Sequence, residues 1–199
     1  AQSANGYMGL DSETSIWLTG DVSRSHAHTL RSKVDAVLIG RQTALIDDPS
    51  LTVREVRGKN PKRVIMDTNR TLPLSLKIFN DKKAETYVLC SDKRFSRTKT
   101  HFCQYLPVRE ENNLLSPVHV LESLAKEGVT SILIEGGQKS LKSFLLADVI
   151  DQIFIYTAPD ILNDAHLENP IRLLDDWIIF EQEKLGEDIL EIAEKGVAC

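Results

Sequence analysis

The sequence predicts an α/β fold with a mostly parallel central sheet and helices on both of its faces. Short apolar runs, which are typical of buried strands, recur along the chain and alternate with amphipathic stretches at helical spacing. A hydrophobic content of 42% and a charged content of 27% in 199 residues are those of a globular chain that buries a real core. We therefore expect one domain over residues 1–199.

The predicted strands are short apolar or β-branched runs that end in polar or turn residues. They lie at residues 36–40, 63–67, 85–91, 101–106, 132–134 and 153–156. Residues 50–54 are predicted to be extended. Residues 177–184 and 189–193 alternate around Leu185-Gly186-Glu187-Asp188, a pattern that predicts a C-terminal antiparallel β-hairpin at one edge of the sheet.

The predicted helices begin at capping residues that precede amphipathic stretches. The first begins at Asp21 or Ser23, either of which is a favourable N-cap, and runs to residue 32. A short second helix ends before Pro49, because a proline restricts the backbone of the residue before it. A third begins at Pro117, since proline suits the first turn of a helix.

The stretch 131–159 carries the first indication of a binding site. An apolar run ends in Glu135-Gly136-Gly137, and an amphipathic segment and a second apolar run follow, which predicts a βαβ crossover. Unpaired amides and the dipole at a helix start attract an anion, and glycines let a phosphate approach the backbone. Glu135 ends its strand at the edge where open α/β sheets bind ligands. We interpret this turn as a nucleotide phosphate site with a carboxylate beside it.

A simpler interpretation of the same stretch stays open. Two glycines after a strand also form an ordinary tight turn, and the full G-x-G-x-x-G fingerprint is not present. Glu135 would then be a carboxylate that the helix dipole favours at a helix start. The glycines alone do not decide between the two interpretations.

Composition excludes several classes of function. A net charge of -5 argues against a general nucleic-acid binder. No apolar run approaches the roughly 20 residues that a membrane span needs. Three cysteines without a C-x-x-C pair favour a reduced, cytoplasmic setting. The five histidines have no metal-binding spacing, so we predict no metal site.

An ordered series of motifs resembles a known family. The most specific is D-D-P-x-L-T-V-R at residues 47–54. The others are S-x-N-G at 3–6, S-x-W-x-T at 15–19, L-R at 30–31, D-A-V-L-x-G at 35–40, R-V-x-x-D-T at 63–68, E-G-G at 135–137 and D-x-x-x-x-Y-x-A-P at 151–159. Over residues 1–163 they resemble the reductase domain of the bifunctional riboflavin-biosynthesis deaminase–reductase. The resemblance implies the three-layer fold of dihydrofolate reductase.

The reaction that this resemblance implies is a reduction by NADPH. The substrate would be 5-amino-6-(5-phosphoribosylamino)uracil, and hydride would reach the anomeric carbon of its ring-opened ribose imine to give the ribitylamino product. Such chemistry needs donor and acceptor held together in a dry site, so no strong acid or base is demanded. The family also implies a deaminase domain upstream in the native chain. The exposed edge of the predicted hairpin favours a homodimer.

The resemblance assigns substrate contacts to Ser15, Arg31, Leu51, Arg54 and Glu135. An arginine fork grips a phosphate with two hydrogen bonds and pairs equally well with the polar edge of a ring. Leu51 would supply an apolar wall. Glu135, the one catalytic candidate, would orient the substrate or help a proton to move.

Cofactor contacts follow from the same resemblance. They are Ala1, Trp17, Thr43, Asp47, Thr68, Gly136, Gly137, Gln138, Lys139, Ser140, Leu141 and Ser143. Asp47 would hold a ribose hydroxyl or a backbone amide rather than a phosphate. Lys139 is compatible with the 2′-phosphate that distinguishes NADPH from NADH.

Two positions depart from the family pattern, and three other functions stay open. Asn5 stands where the family has aspartate, and Gly20 replaces a serine. The zinc deaminase signature H-x-E with P-C-x-x-C does not occur, so deamination is not a function of this chain. The alternatives are a reductase of the un-deaminated diaminopyrimidinone, a folate-type reductase, and a nucleotide-binding module without catalysis.

Overall fold

The computed structural model describes residues 1–10, 16–96, 102–173 and 177–196. The strands are β1 (Tyr7–Gly9), β2 (Ala36–Gly40), β3 (Lys62–Met66), β4 (Thr86–Ser91), β5 (Gln104–Val108), β6 (Glu110–Glu111), β7 (Leu114–Leu115), β8 (Ile132–Ile134), β9 (Gln152–Thr157), β10 (Leu167–Glu168), β11 (Trp177–Leu185) and β12 (Asp188–Lys195). The helices are α1 (Asp21–Lys33), α2 (Arg41–Asp47), α3 (Lys77–Asn80), α4 (Pro117–Lys126) and α5 (Gln138–Leu146).

The chain divides into two compact units. We call residues 28–143 the sheet unit, and residues 1–27 together with residues 144–199 the hairpin unit. Helices α1 and α5 each begin in one unit and end in the other. Within the described residues, no helix has both the length and the apolar character needed to cross a membrane.

The sheet unit is built on a parallel sheet with the strand order β5-β4-β3-β2-β8. Strand β2 lies between β3 and β8, with Ala36 paired to Lys62 on one side and to Ile132 on the other. Four consecutive residues of β2 are buried, as a strand covered on both faces requires. Helix α2 packs against β2 and β3, and α4 packs against β5.

The hairpin unit contains an antiparallel sheet with the order β11-β12-β9. Strands β11 and β12 form the predicted hairpin, whose turn places Gly186 at a φ of 67°. The buried carboxylate of Asp188 accepts hydrogen bonds from the amide of Gly20 at 2.8 Å and the hydroxyl of Ser23 at 2.6 Å. One side chain thereby holds the start of α1 against the hairpin turn.

Most predicted elements are present near their predicted positions, and the α/β class with a parallel sheet and a C-terminal hairpin is confirmed. The predicted place of the hairpin at an edge of the parallel sheet is wrong, because β12 pairs with β9 in a separate antiparallel sheet. The strand predicted at 101–106 lies at Gln104–Val108, with residue 101 outside the described residues. The extended prediction for residues 50–54 is wrong. These residues pair with no described strand, and Leu51 has a φ of 49°, in the left-handed region, so the backbone is not extended at that residue.

The predicted βαβ crossover is also wrong in one respect. Its strand, helix and strand occur in the predicted order, as β8, α5 and β9. However, β9 pairs antiparallel with β12, whereas β8 pairs parallel with β2. Apolar runs of this kind predict strands without specifying which strands pair, so the sequence pattern could not show that β8 and β9 belong to different sheets.

Candidate active site

The candidate site of the sheet unit lies along the edge where the parallel strands end. Gly40 ends β2, Glu135 follows the last residue of β8, and Thr68 lies two residues beyond β3. The carboxyl ends of parallel strands meet at one edge of a sheet, and ligands of open α/β sheets bind there. The topology therefore brings these three positions to a common edge.

The glycine turn after β8 depends on residues without a side chain. Gly136 and Gly137 have φ values of 74° and 81°, in the left-handed region that glycine adopts without strain. A Cβ atom at Gly137 would lie 3.1 Å from Oγ1 of Thr43, and one at Gly40 would lie 2.6 Å from Oγ of Ser140. The start of α5 thus packs directly onto the end of β2, with Thr43 facing the bare backbone of the turn.

Arg31 and Glu135 form a bidentate ion pair beside this turn. Nε and Nη2 of Arg31 donate to the two carboxylate oxygens of Glu135, each at 2.6 Å. The side chains are 15% and 23% exposed, so the pair is shielded from solvent but remains reachable. Burial by itself lowers the pKa of the Arg31 guanidinium, but the hydrogen bonds and the charge of Glu135 raise it above its ordinary value.

Side chains hold the backbone of residues 52–54, which lacks strand pairing among the described residues. The carbonyl of Thr52 accepts from Nη1 of Arg31 at 3.2 Å. The amide of Val53 donates to Oδ1 of Asn60 at 2.9 Å. The amide of Arg54 donates to Nδ1 of His28 at 3.2 Å. The last three residues of the D-D-P-x-L-T-V-R motif are therefore held by side chains from other segments and not by a sheet.

His28 is a residue of this region that the sequence analysis did not select. Its ring is buried, with only 4% of the residue exposed, and Nε2 lies 3.9 Å from Oε1 of Glu55. Burial lowers the pKa of His28, as do the charges of Arg31 and Arg54, while Glu55 and Glu135 act in the opposite direction. The sequence did contain one signal for His28: it lies three residues before Arg31 and therefore on the same face of α1.

The remaining substrate candidates differ in exposure. Leu51 is 2% exposed and packs in the core cluster with Val37 and Ile39, so most of its side chain lies within the core of the sheet unit. Arg54 is exposed, and its backbone is held as described above. Ser15 lies outside the described residues.

The cofactor candidates occupy both units. Within the sheet unit, Thr68 is half-buried and accepts from the amide of Ser91 at 3.1 Å, while Asp47 is exposed at the end of α2. The helix-start candidates lie in the first turns of α5, where Ser140 is buried, Lys139 is exposed, and Gln138, Leu141 and Ser143 are half-buried.

Two further cofactor candidates belong to the hairpin unit. Ala1 is exposed, and the Trp17 side chain is 76% exposed, with the Arg24 guanidinium 5.1 Å from the centre of its ring. A flat aromatic face of this kind is suited to stacking against a planar ring.

The sheet unit places a glycine turn with an open backbone next to a side chain that donates and a side chain that accepts hydrogen bonds. Two glycines leave the backbone of the turn open to an anion at the start of α5. Directly beside it, the pair of Arg31 and Glu135 offers both a hydrogen-bond donor and an acceptor. The backbone of the turn is also closely packed on one side, since a Cβ atom at Gly137 would lie 3.1 Å from Oγ1 of Thr43.

Comparisons with known proteins agree with this architecture. The family model described as the RibD C-terminal domain matches residues 1–171. The riboflavin biosynthesis protein RibD of Aquifex aeolicus is 32% identical over 200 residues, which cover 96% of this chain and 54% of that protein. The 2,5-diamino-6-ribosylamino-4(3H)-pyrimidinone 5′-phosphate reductase of the same organism is 30% identical over 165 residues, covering 81% of this chain and 73% of the other. This chain thus spans about half the length of the RibD protein.

Solved structures share the fold. A deaminase/5-amino-6-(5-phosphoribosylamino)uracil reductase of Thermotoga maritima superposes with a TM-score of 0.81 at 23% identity, covering 98% of this chain and 54% of that chain. The riboflavin biosynthesis reductase Rib7 of Saccharomyces cerevisiae gives a TM-score of 0.77 at 18% identity, covering 98% of this chain and 86% of that chain. At these identities the likeness concerns the fold alone, and it confirms the predicted fold class.

Proposed function

The chain belongs to the RibD C-terminal domain family, and from that premise we propose that it is the NADPH-dependent reductase of 5-amino-6-(5-phosphoribosylamino)uracil in riboflavin biosynthesis. The whole of residues 1–199 would act as one reductase domain. The proposal depends on one observation: Glu135 is followed directly by Gly136 and Gly137. The ion pair of Arg31 and Glu135, which would bind a polar ring, therefore lies next to the glycine turn, which would bind a phosphate.

Different residues of the sheet unit would bind the cofactor and the pyrimidine substrate. Gly136, Gly137, Thr43 and the first turns of α5 would hold the cofactor, which when bound supplies a hydride. Arg31 and Glu135 would orient the pyrimidine ring, and Arg54 would hold the phosphate of the ribose chain. Positioning of this kind contributes a large part of a rate enhancement when the reacting atoms are held in contact.

Proton handling follows from the same pair. When hydride adds to the anomeric carbon of an open imine, the nitrogen gains a proton. Both carboxylate oxygens of Glu135 already accept hydrogen bonds from Arg31, so its role would be to orient the ring, and the proton would come from another group. Water or the substrate's own hydroxyl would deliver it.

One second candidate has a specific observation in its favour. The relative named as the 2,5-diamino-6-ribosylamino-4(3H)-pyrimidinone 5′-phosphate reductase is 30% identical, close to the 32% of the RibD protein. The two named substrates differ in one exocyclic group of the ring, which a donor–acceptor pair such as Arg31 and Glu135 would distinguish. The identities alone do not choose between them.

The experiment that tests the proposal is NADPH oxidation with three acceptors in parallel. They are the deaminated pyrimidine, the un-deaminated pyrimidine and dihydrofolate, with a reaction without acceptor as the blank and NADH as the alternative donor. Turnover of the deaminated compound with NADPH supports the proposal. Turnover of the un-deaminated compound alone favours the second candidate, and binding of NADPH without turnover favours a module without catalysis.

The assembly and setting of the protein complete the proposal. We propose a homodimer, which the exposed apolar residues Ile178, Ile179 and Phe180 on strand β11 support. The coverage of 54% of the RibD relative supports a deaminase domain in the native chain. The odd number of cysteines supports a cytoplasmic location. Sedimentation of the wild type beside Phe180→Glu tests the dimer, since a charge there would separate the subunits.

A further inference from the structure

We infer that His28 is a positioning residue for substrate binding: its neutral ring holds the Arg54 amide, and this contact sets where the Arg54 side chain meets the substrate. The inference rests on the proposed function in so far as Arg54 is a substrate contact. It adds a residue of α1 that acts through another residue and touches neither ligand itself.

The first argument is the hydrogen-bond requirement of the segment 52–54. A buried or half-buried amide needs an acceptor, and this segment has no sheet partner within the described residues to supply one. The acceptor for Arg54 is Nδ1 of His28, at 3.2 Å. Because Nδ1 accepts, the proton of the neutral ring lies on Nε2, on the side that faces the Glu55 carboxylate.

The second argument is that His28 and Arg31 act on the segment from the same face of α1. Residues three apart on a helix are neighbours. Arg31 binds the carbonyl of Thr52, and His28 binds the amide of Arg54, so one helix face holds two points of the segment. The same Arg31 also binds Glu135. The proposed pyrimidine contacts and the proposed phosphate contact are thereby aligned from one helix.

Protonation of His28 would remove this contact, because an imidazolium has no acceptor. The charged groups that face the ring are Arg31 on α1, Arg54 and Glu55 in the loop, and Glu135 after β8. Burial and the two arginines favour the neutral ring, so the contact is present at neutral pH. It is lost as the pH falls through the folded-state pKa, which lies below the ordinary value of 6.5.

The test compares two substitutions with a matched control. His28→Asn keeps an acceptor near the position of Nδ1 and does not titrate, whereas His28→Leu removes the acceptor. His119→Asn, on α4, controls for the loss of one histidine elsewhere in the sheet unit. At pH 8 we expect His28→Leu to raise the KM for the pyrimidine about fivefold, as the loss of one neutral hydrogen bond predicts. The kcat and the Kd for NADPH should stay within about twofold, and the other two variants should resemble the wild type.

The pH profile separates a positioning role from a structural one. The second pKa of a substrate phosphate is about 6, so the KM of any variant changes with pH in this range. The informative quantity is therefore the ratio of the wild-type KM to the His28→Asn KM, because the phosphate titration cancels in it. The ratio should rise as the pH is lowered below 6.5. A flat ratio, an unchanged KM in His28→Leu, or an equal loss of NADPH affinity would overturn the inference.

A readout without substrate keeps the inference testable if the proposed function fails. Hydrogen exchange at the Arg54 amide should be faster in His28→Leu than in the wild type and His28→Asn, and equal rates would overturn the inference by themselves. If the wild type reduces none of the pyrimidines, the proposed function is wrong, and this exchange experiment alone decides the role of His28. If His28→Leu does not fold, the wild-type and His28→Asn profiles decide.

Discussion

The guanidinium of Arg31 and the carboxylate of Glu135 meet through two hydrogen bonds of 2.6 Å, one from Nε and one from Nη2. Arg31 comes from α1 and Glu135 from the end of β8, so the pair joins a helix to the edge of the sheet at the glycine turn. A ring that offers both an N–H group and a carbonyl can bind next to this pair without leaving either charge unpaired.

Glu135→Gln should separate orientation of the substrate from binding of the cofactor. The amide keeps the size of the side chain and loses the charge, so we expect kcat/KM for the pyrimidine to fall at least tenfold, equivalent to about 1.4 kcal/mol. The Kd for NADPH, measured by fluorescence titration, should not change. A double-mutant cycle with Arg31→Lys gives the coupling energy, and additive effects would show that the two residues act separately.

Arg54→Ala should weaken substrate binding and leave NADPH binding intact. Its exposed guanidinium would supply a charge-assisted bond to the substrate phosphate, worth about 1.5–3 kcal/mol, so the KM should rise tenfold or more. Steady-state kinetics with each substrate varied in turn measures both effects. The exposed Arg57 provides a control, because Arg57→Ala removes a nearby charge outside the motif. Equal losses for both ligands would mean that Arg54 is misassigned.

Two glycines with similar backbones allow a matched test of the turn. Gly137 and Gly128 have φ values of 81° and 74°, so alanine is strained at either position by about 1 kcal/mol. An added Cβ atom approaches Oγ1 of Thr43 at 3.1 Å in Gly137→Ala, but meets nothing within 4 Å in Gly128→Ala. We expect both variants to lose stability and only Gly137→Ala to lose NADPH affinity. A similar Kd for both would contradict a phosphate site at the turn.

Asp35 should make the sheet unit sensitive to acid. Its carboxylate accepts hydrogen bonds from the hydroxyl and the amide of Thr130 and from the amide of Ser131, and these bonds lower the pKa of Asp35 below its ordinary value of 3.8. The stabilisation is therefore complete above pH 3.8 and is lost as the pH falls through the lower folded-state pKa. Urea unfolding across this range should show a steeper loss for the wild type than for Asp35→Asn. Parallel curves would exclude this contribution.

Asp188→Ala should destabilise the hairpin unit. The substitution leaves the amide of Gly20 and the hydroxyl of Ser23 without their acceptor, at a cost of about 2 kcal/mol. In a chain of this size that corresponds to a decrease in Tm of about 4–8 °C. Glu187→Ala removes an exposed carboxylate from the same turn and should leave the Tm nearly unchanged. Equal shifts in thermal melts would assign the effect to overall charge.

The sequence predicts the strands of the parallel sheet well, because buried strands have continuous apolar runs that no other short element requires. Arg31, Glu135 and the two glycines were selected from motifs, and the structure brings Arg31 and Glu135 into contact. Their pairing was not predicted, since neither periodicity nor spacing reports which side chains meet across a hundred residues.

Residues 50–54 show the limit of the pattern more clearly. Alternating Leu51, Thr52 and Val53 have the composition of a strand, and so they were predicted to be extended. The left-handed φ of Leu51 and the side-chain partners of the segment override that local preference. His28 was missed for a related reason: its spacing from Arg31 places it on the same helix face, but its partner is the backbone amide of Arg54, which no side-chain pattern reports.

The order of strands in the sheet also bears on how the protein is made. Strands β2 to β5 join neighbours in the order in which they are synthesised, whereas β8 returns to β2 across most of the sheet unit. Pairings between distant segments form slowly, and until β8 arrives, β2 exposes an open row of amides and carbonyls. The nascent chain therefore carries an unpaired strand edge until Ile134 has emerged from the ribosome, and the strand that then covers this edge is the one that leads into the glycine turn.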